Sequence, residues 1–243
     1  MPTPFTRYLA LACVAVGTGS AFAQAPMCRA ESTAALTPVI ELYTSEGCSS
    51  CPPADRWLST LKPVAANGKA VVQAFHVGYW DYIGWVDRFA APAYTSRQRQ
   101  VSSQSGQSGV YTPQLIRNGR DSRDYSSATR SSDSAKARIV LQRNDKDAFE
   151  ATVTPAEDVT SWAAYWTVTE NGHSSKVKAG ENSGELLQHD FVVRQYVPLG
   201  EYMGASKVTL RSIAPDPAHA RQVNLVVFDP KTGKPLQALS LGC

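Results

Sequence analysis

Thr44-Ser45-Glu46-Gly47-Cys48-Ser49-Ser50-Cys51-Pro52-Pro53 decides how the first half of this chain is read. Val39-Ile40-Glu41-Leu42-Tyr43, just before it, is a strand-like run, and Ala54 to Leu61 reads as the body of a helix. A strand therefore enters a loop, the loop carries Cys-x-x-Cys, and the second cysteine opens the helix. Pro52 and Pro53 are tolerated there because the first helical turn has no internal partners for its N–H groups. Both sulfurs then lie near the positive end of a helix dipole, which favours a thiolate. A thiolate attacks disulfides, so Cys48 is the candidate attacking sulfur and Cys51 the candidate resolving one. Two features oppose strong reactivity: Ser49 and Ser50 bring no cation, and Asp55 sets a negative charge in the first turn.

Outward from this element, Ala70 to Val77 reads as a second strand, Ala91 to Val101 as a helix and Gln114 to Arg117 as a short third strand. Ser131 to Arg143 reads as a closing helix capped by Ser131 or Ser132. Strand–helix alternation of this kind predicts an α/β layer over residues 38–146. Beyond it the texture changes to short strands: Phe149–Thr154, Trp162–Thr169, Phe191–Val197, Val208–Ile213, Val223–Phe228 and Pro235–Leu241. Asn171-Gly172 is a hairpin signal among them. A small all-β, sandwich-like domain is expected over residues 147–243.

The chain has 243 residues, 43% apolar and 19% charged, enough apolar material for one large core or two modest ones. A net charge of +3 is too small and dispersed for a nucleic-acid binder. The glycines and prolines follow no repeat period, which removes collagen-like and solenoid readings. Arg7, the apolar stretch Tyr8–Gly17 and Ala21-Phe22-Ala23 read as a signal peptide over residues 1–23, cleaved before Gln24. Residues 24–37 are then an N-terminal extension, and no later segment is apolar enough to span a membrane. Export to the bacterial periplasm and no membrane span after cleavage are expected. In an oxidising compartment Cys28, Cys48, Cys51 and Cys243 allow three pairings. The pairing that respects local geometry joins Cys48 to Cys51 and leaves Cys28 for Cys243, a clip worth about 5 kcal/mol in the chain-entropy model.

Some sixty residues beyond the cysteines, Thr112-Pro113 enters the apolar run Gln114-Leu115-Ile116, which ends at Asn118-Gly119. This resembles the loop that faces the cysteines in thioredoxin-like domains, where the proline is cis. The resemblance implies a thioredoxin-like N-terminal domain in which Cys48, His76 and Pro113 converge and Thr112-Pro113 aligns a substrate backbone beside the sulfur. A more particular resemblance rests on Glu41 to Asp55, His76-Val77-Gly78-Tyr79-Trp80-Asp81-Tyr82-Ile83-Gly84-Trp85, Tyr111-Thr112-Pro113-Gln114, Gly180-Glu181-Asn182 and Val192-Val193-Arg194. Together these are similar to the secreted bacterial family called domain of unknown function 1223. That resemblance implies a thioredoxin-like domain with an appended β domain and carries no activity with it.

Three uses of the cysteine pair are open at this point: redox exchange, an inert staple and metal binding. His76 reads as a histidine satisfied at a strand end, or as a proton donor, or as a third ligand beside Cys48 and Cys51 for Cu(I) or Zn(II). Tyr79, Trp80, Tyr82 and Trp85 read as a packed cluster or as a groove for a polypeptide. Asp81 and Asp87 read as turn and cap residues, and Arg194 as a partner for Glu181. No phosphate loop, nucleotide fingerprint, serine-nucleophile elbow or HExxH motif is present, so no cofactor is expected. Thiol–disulfide exchange on a protein substrate leads. The alternative is a binding protein for copper or for a polypeptide, with the cysteines as ligands or staple.

Overall fold

A computed structural model describes residues 28–243 together with Met1; the expected signal peptide and residues 24–27 otherwise lie outside the described residues. In chain order come β1 (Arg29–Glu31), β2 (Val39–Thr44), α1 (Cys51–Ser59), α2 (Lys62–Ala66) and β3 (Val71–His76). A 3-10 turn (Asp81–Ile83), α3 (Pro92–Gln104), β4 (Gln114–Arg117) and β5 (Arg120–Ser122) follow. Then come β6 (Ala137–Asp145), β7 (Ala148–Pro155), β8 (Trp162–Glu170), β9 (His173–Lys176) and β10 (Leu186–His189). The last strands are β11 (Val192–Tyr202), β12 (Ser206–Arg211), β13 (Arg221–Phe228) and β14 (Pro235–Leu241). Among the described residues no helix is long and apolar enough to cross a membrane.

Eight strands form one sheet in the order β14-β13-β8-β11-β3-β2-β4-β5, and β1-β6-β7-β12 form a second of four. Within the large sheet β2 and β3 run parallel, β11 joins β3 in parallel through Val192 and Ala74, and the other pairs are antiparallel. Period-two alternation sorts the side chains. Ile40 and Leu42 of β2 join Leu58, Val72 and Leu115 in the core beneath α1 and α2. Tyr43 packs on the opposite face with Phe75, Tyr94 and Ile116, beneath α3. At the other end of the sheet Trp162, Trp166 and Leu225 meet Ile139, Leu141 and Val153 of the four-stranded sheet. The Cys28–Cys243 disulfide closes the two ends beside that core.

The expected α/β thioredoxin-like domain followed by a small all-β domain is corrected by this architecture. Strand makes up 41% of the described residues and helix 14%, and the chain is mostly β with large multi-stranded sheets. The strand and helix that carry the cysteines do not close a layer of their own. β11 lies against β3, and with β8, β13 and β14 it continues the same sheet through what was expected to be a separate domain. The reason is non-local: the β3 edge is filled by a strand more than a hundred residues away, and no periodicity within β3 announces that. The expected helix over Ser131–Arg143 is largely β6, because Ala137, Ile139 and Leu141 are buried while Arg138 is exposed, a period of two. The expected boundary at 146/147 falls in the turn of the β6–β7 hairpin.

One buried ion pair ties α3 to the sheet. Arg97 donates from Nη2 to Glu41 Oε1 at 2.7 Å and from Nε to Oε2 at 3.1 Å. Tyr43 and Tyr165 donate their hydroxyls to the same carboxylate at 2.6 and 2.8 Å. The guanidinium lies 4.0 Å from the Tyr165 ring centroid. Burial and the neighbouring carboxylate push both phenols well above their ordinary range.

Candidate functional site

β2 delivers the chain to the cysteine loop at Thr44, and the loop folds on its own backbone. Cys48 N–H donates to Ser45 O at 3.1 Å, and Cys51 N–H donates to Cys48 O at 3.2 Å. Cys48 and Cys51 form a disulfide with a Cα separation of 5.4 Å. Ser49 and Ser50 are exposed, yet Cys48 is only 1% exposed and Cys51 fully buried. Gly47 permits this close packing, since a Cβ there would stand 2.9 Å from Trp80 Cβ. Trp80 in turn donates from Nε1 to Thr112 Oγ1 at 2.8 Å. The Thr112–Pro113 peptide is cis and leads into β4, whose Gln114 pairs with Tyr43. Trp80 thus connects the cysteine loop to Thr112 and Pro113.

His76 ends β3 in register with Thr44. It is buried, with Nδ1 2.7 Å from Asp87 Oδ2. Asp87, expected as a turn or cap residue, also accepts N–H donors from Glu46 and Phe89 at 2.9 Å each. Burial opposes a charged ring at His76, but Asp87, Asp55 and Glu46 together raise its pKa. Burial likewise opposes ionisation of Asp87, but the His76 charge and the hydrogen bonds it accepts hold its carboxyl below the usual range. Each partner thus favours the charged form of the other, and His76 Nε2 lacks a hydrogen-bond partner.

His189 completes a buried ionisable nest that the sequence reading missed. Its Nε2 is 3.2 Å from Glu46 Oε1, its Nδ1 3.8 Å from Asp55 Oδ2, and its ring centroid 4.9 Å from that of His76. Glu46 also accepts from Trp85 Nε1 at 2.7 Å. Burial would raise the Glu46 pKa, but the neighbouring His189 and Ser175 and the hydrogen bond from Trp85 bring it below the usual value. Asp55 goes the other way: burial dominates, and the two histidines and Thr44 only partly counter it, so its pKa is raised. Asp55 stands one helical turn beyond Cys51, on the buried face they share. The nest draws on β3, the cysteine loop, α1, the Trp85–Asp87 segment and β10, and no local pattern links residues so far apart. Among the described residues no group of three or more His, Cys, Asp or Glu side chains is arranged to hold a metal ion.

Residues 173–190 fold over the site as a flap. β9 and β10 pair only with each other. At the tip, Asn182 donates from Nδ2 to Glu46 O at 2.8 Å and Cys48 O at 3.0 Å. The Glu181 carboxylate accepts from Ser49 N–H at 2.9 Å. Arg194, expected to pair with Glu181, instead meets Glu170 at 3.2 Å, and Glu170 also contacts His173 Nε2 at 2.9 Å. Asn171-Gly172 starts the flap and is not a two-residue hairpin turn. The aromatic segment beside the cysteine loop is mixed, with Trp80 and Trp85 half-buried and Tyr82 exposed.

A disulfide loop over an ionisable nest, carried by one long mixed sheet and covered by a flap, defines a mostly β protein with a buried cysteine-pair site. The chain belongs to the family described as protein of unknown function (DUF1223), which matches residues 39–228. No curated protein matches it. Its fold is similar to that of a protein from Agrobacterium tumefaciens known by X-ray crystal structure. The TM-score is 0.62 at 23% identity, over 86% of this chain and 96% of that one. It is also similar to HBP35 of Porphyromonas gingivalis, with a TM-score of 0.56 at 12% identity, over 86% of this chain and 75% of that one. At these identities the likeness is one of fold.

Proposed function

We propose that the Cys48–Cys51 disulfide exchanges with thiols of protein substrates in an oxidising compartment outside the cytoplasm, the bacterial periplasm. The observation that carries this reading is the ionisable nest beside the disulfide, and within it Asp55 on the Cys51 face of α1 with a raised pKa. A staple has no use for a buried carboxyl that costs folding energy to ionise. An exchanging pair does, because breaking the disulfide creates a buried thiolate that needs a proton.

The step balances as follows. A substrate thiolate attacks Cys48 Sγ, the Cys48–Cys51 bond breaks, and its electron pair leaves on Cys51 Sγ. Asp55, with His189 beside it, supplies the proton that neutralises that thiolate. A second substrate thiolate then attacks the mixed disulfide and frees Cys48, so a substrate dithiol is oxidised and the protein's disulfide reduced. Run backwards, the same steps reduce a substrate disulfide. Thr112, which accepts the Trp80 indole N–H, and Pro113 are the residues we assign to aligning the substrate backbone.

A thiol-trapping redox titration read by intact mass tests this. The expected result is a Cys48–Cys51 potential well above that of the Cys28–Cys243 clip, with turnover of a disulfide-bearing protein that is lost in Cys48→Ser. If the Cys48–Cys51 pair resists reduction as strongly as the clip and no turnover is found, the proposal is wrong.

A further inference from the structure

At 1% and 0% exposure, neither sulfur of the Cys48–Cys51 pair offers an incoming thiolate a line of approach. The flap tip rests on the main chain of Cys48 through Asn182, and the flap has the build of a part that moves. β8 and β11 are neighbours in the large sheet, with Glu170 paired to Val192, so residues 171–191 leave the sheet and re-enter it at one place. The base of this excursion is cross-tied. Phe191 N–H donates to Asn171 Oδ1 at 2.8 Å, and Gly172 N–H donates to Asp190 Oδ1 at 2.9 Å. Both crossing points have left-handed backbone, φ 77° at Gly172 and 57° at Phe191. Beyond the base, β9 and β10 belong to neither large sheet. A two-stranded hairpin of this kind is held mainly by what its inner face touches.

The tip, residues 177–185, is latched to the cysteine loop by the three side-chain contacts of Asn182 and Glu181. They land on main-chain atoms of Glu46, Cys48 and Ser49, and releasing them breaks no strand pairing. A hollow of about 450 Å³ runs along the seam between tip and α1, bordered by Ser49, Pro52, Arg56, Glu181, Ser183 and Leu186. On the strength of the exchange reading above, we infer that residues 177–185 are a strap gating the disulfide. Asn182 is its latch, and a substrate reaches Cys48 only after the strap lifts along that seam. The strap makes the pair slow to react with any thiol that merely collides with it, and selective for a partner able to displace Asn182.

The test compares wild type with Asn182→Ala and Glu181→Ala. The rate at which dithiothreitol reduces Cys48–Cys51 is read by alkylation and peptide mass, and Cys28–Cys243 in the same molecule serves as internal control. Loss of the two Asn182 hydrogen bonds from the closed state raises the Cys48–Cys51 rate roughly thirty-fold, and loss of the exposed Glu181 contact a few-fold, with the control rate unchanged. Should Asn182→Ala fail to fold, Glu181→Ala at its exposed position still carries the comparison, with hydrogen exchange at the Ser49 amide as a second readout. Wild-type rates in folded variants would overturn the strap and leave exchange standing. Faster reduction by dithiothreitol, with no turnover of any protein disulfide by wild type or variants, would uphold the strap and end the exchange reading.

Discussion

Arg97→Met severs the one charged link between α3 and the strand that delivers the cysteines. The substitution keeps much of the apolar stem but removes two charged hydrogen bonds, of 2.7 and 3.1 Å, from Glu41. Glu41 is 1% exposed and would be left with only the Tyr43 and Tyr165 hydroxyls as donors. Removing one partner of such a buried pair costs about 3–5 kcal/mol, because the stranded charge can neither reach water nor find another cation. That is a large part of the roughly 5–15 kcal/mol that holds an ordinary domain folded. For a chain of this size it corresponds to a fall in melting temperature of about 6–20 °C. The remedy follows from the same reasoning. Arg97→Met combined with Glu41→Leu removes both charges, and the double variant recovers most of the loss even though it lacks every contact of the original pair. Urea unfolding of the four proteins of this cycle, read by midpoint and slope, checks it. A single variant that loses under about 1 kcal/mol, or a double variant as unstable as the two singles summed, would refute the argument that the charge itself dominates.

Two further outcomes follow from the site. Asp55 binds its proton more tightly folded than unfolded, so its contribution to stability is full below the ordinary carboxylate pKa and is lost as pH rises through the raised folded value. Asp55→Asn is therefore more stable than wild type at neutral pH, with a gap that closes on acidification, while exchange slows; urea midpoints from pH 4 to 8 would go against this if the gap were flat or reversed. Gly47→Ala forces a methyl group to within 2.9 Å of Trp80 Cβ and costs about 1–3 kcal/mol, with the Trp80–Thr112 hydrogen bond disturbed. Thermal unfolding and tryptophan fluorescence would read both, and an unchanged melting curve would show that the loop and Trp80 do not pack as described.

Much of the local structure was legible because its causes are local. Val39–Tyr43 as strand, Cys51 at a helix start followed by two prolines, and the pairing of Cys48 with Cys51 all follow from spacing and stereochemistry within a dozen residues. The pairing of Cys28 with Cys243 followed from elimination and needed no fold. His76 and Asp87 were each noticed, but not as partners, because eleven residues of irregular chain separate them. Phe191, read as the start of a strand, marks the point where the flap re-enters the sheet.

What tertiary structure alone decided is which edge meets which. A strand's periodicity states which face is buried and nothing about its neighbour, so the junction of β11 with β3 was invisible, and with it the single sheet that replaced two expected domains. The same junction brings β10 back past α1, setting His189 beside Asp55 and Glu46 and laying Asn182 across the cysteine loop. The sequence by itself determined a disulfide at the mouth of a helix. Its burial, its ionisable surroundings and its strap exist because a sheet edge, whose hydrogen bonds are the same whatever the residues, accepted a distant strand.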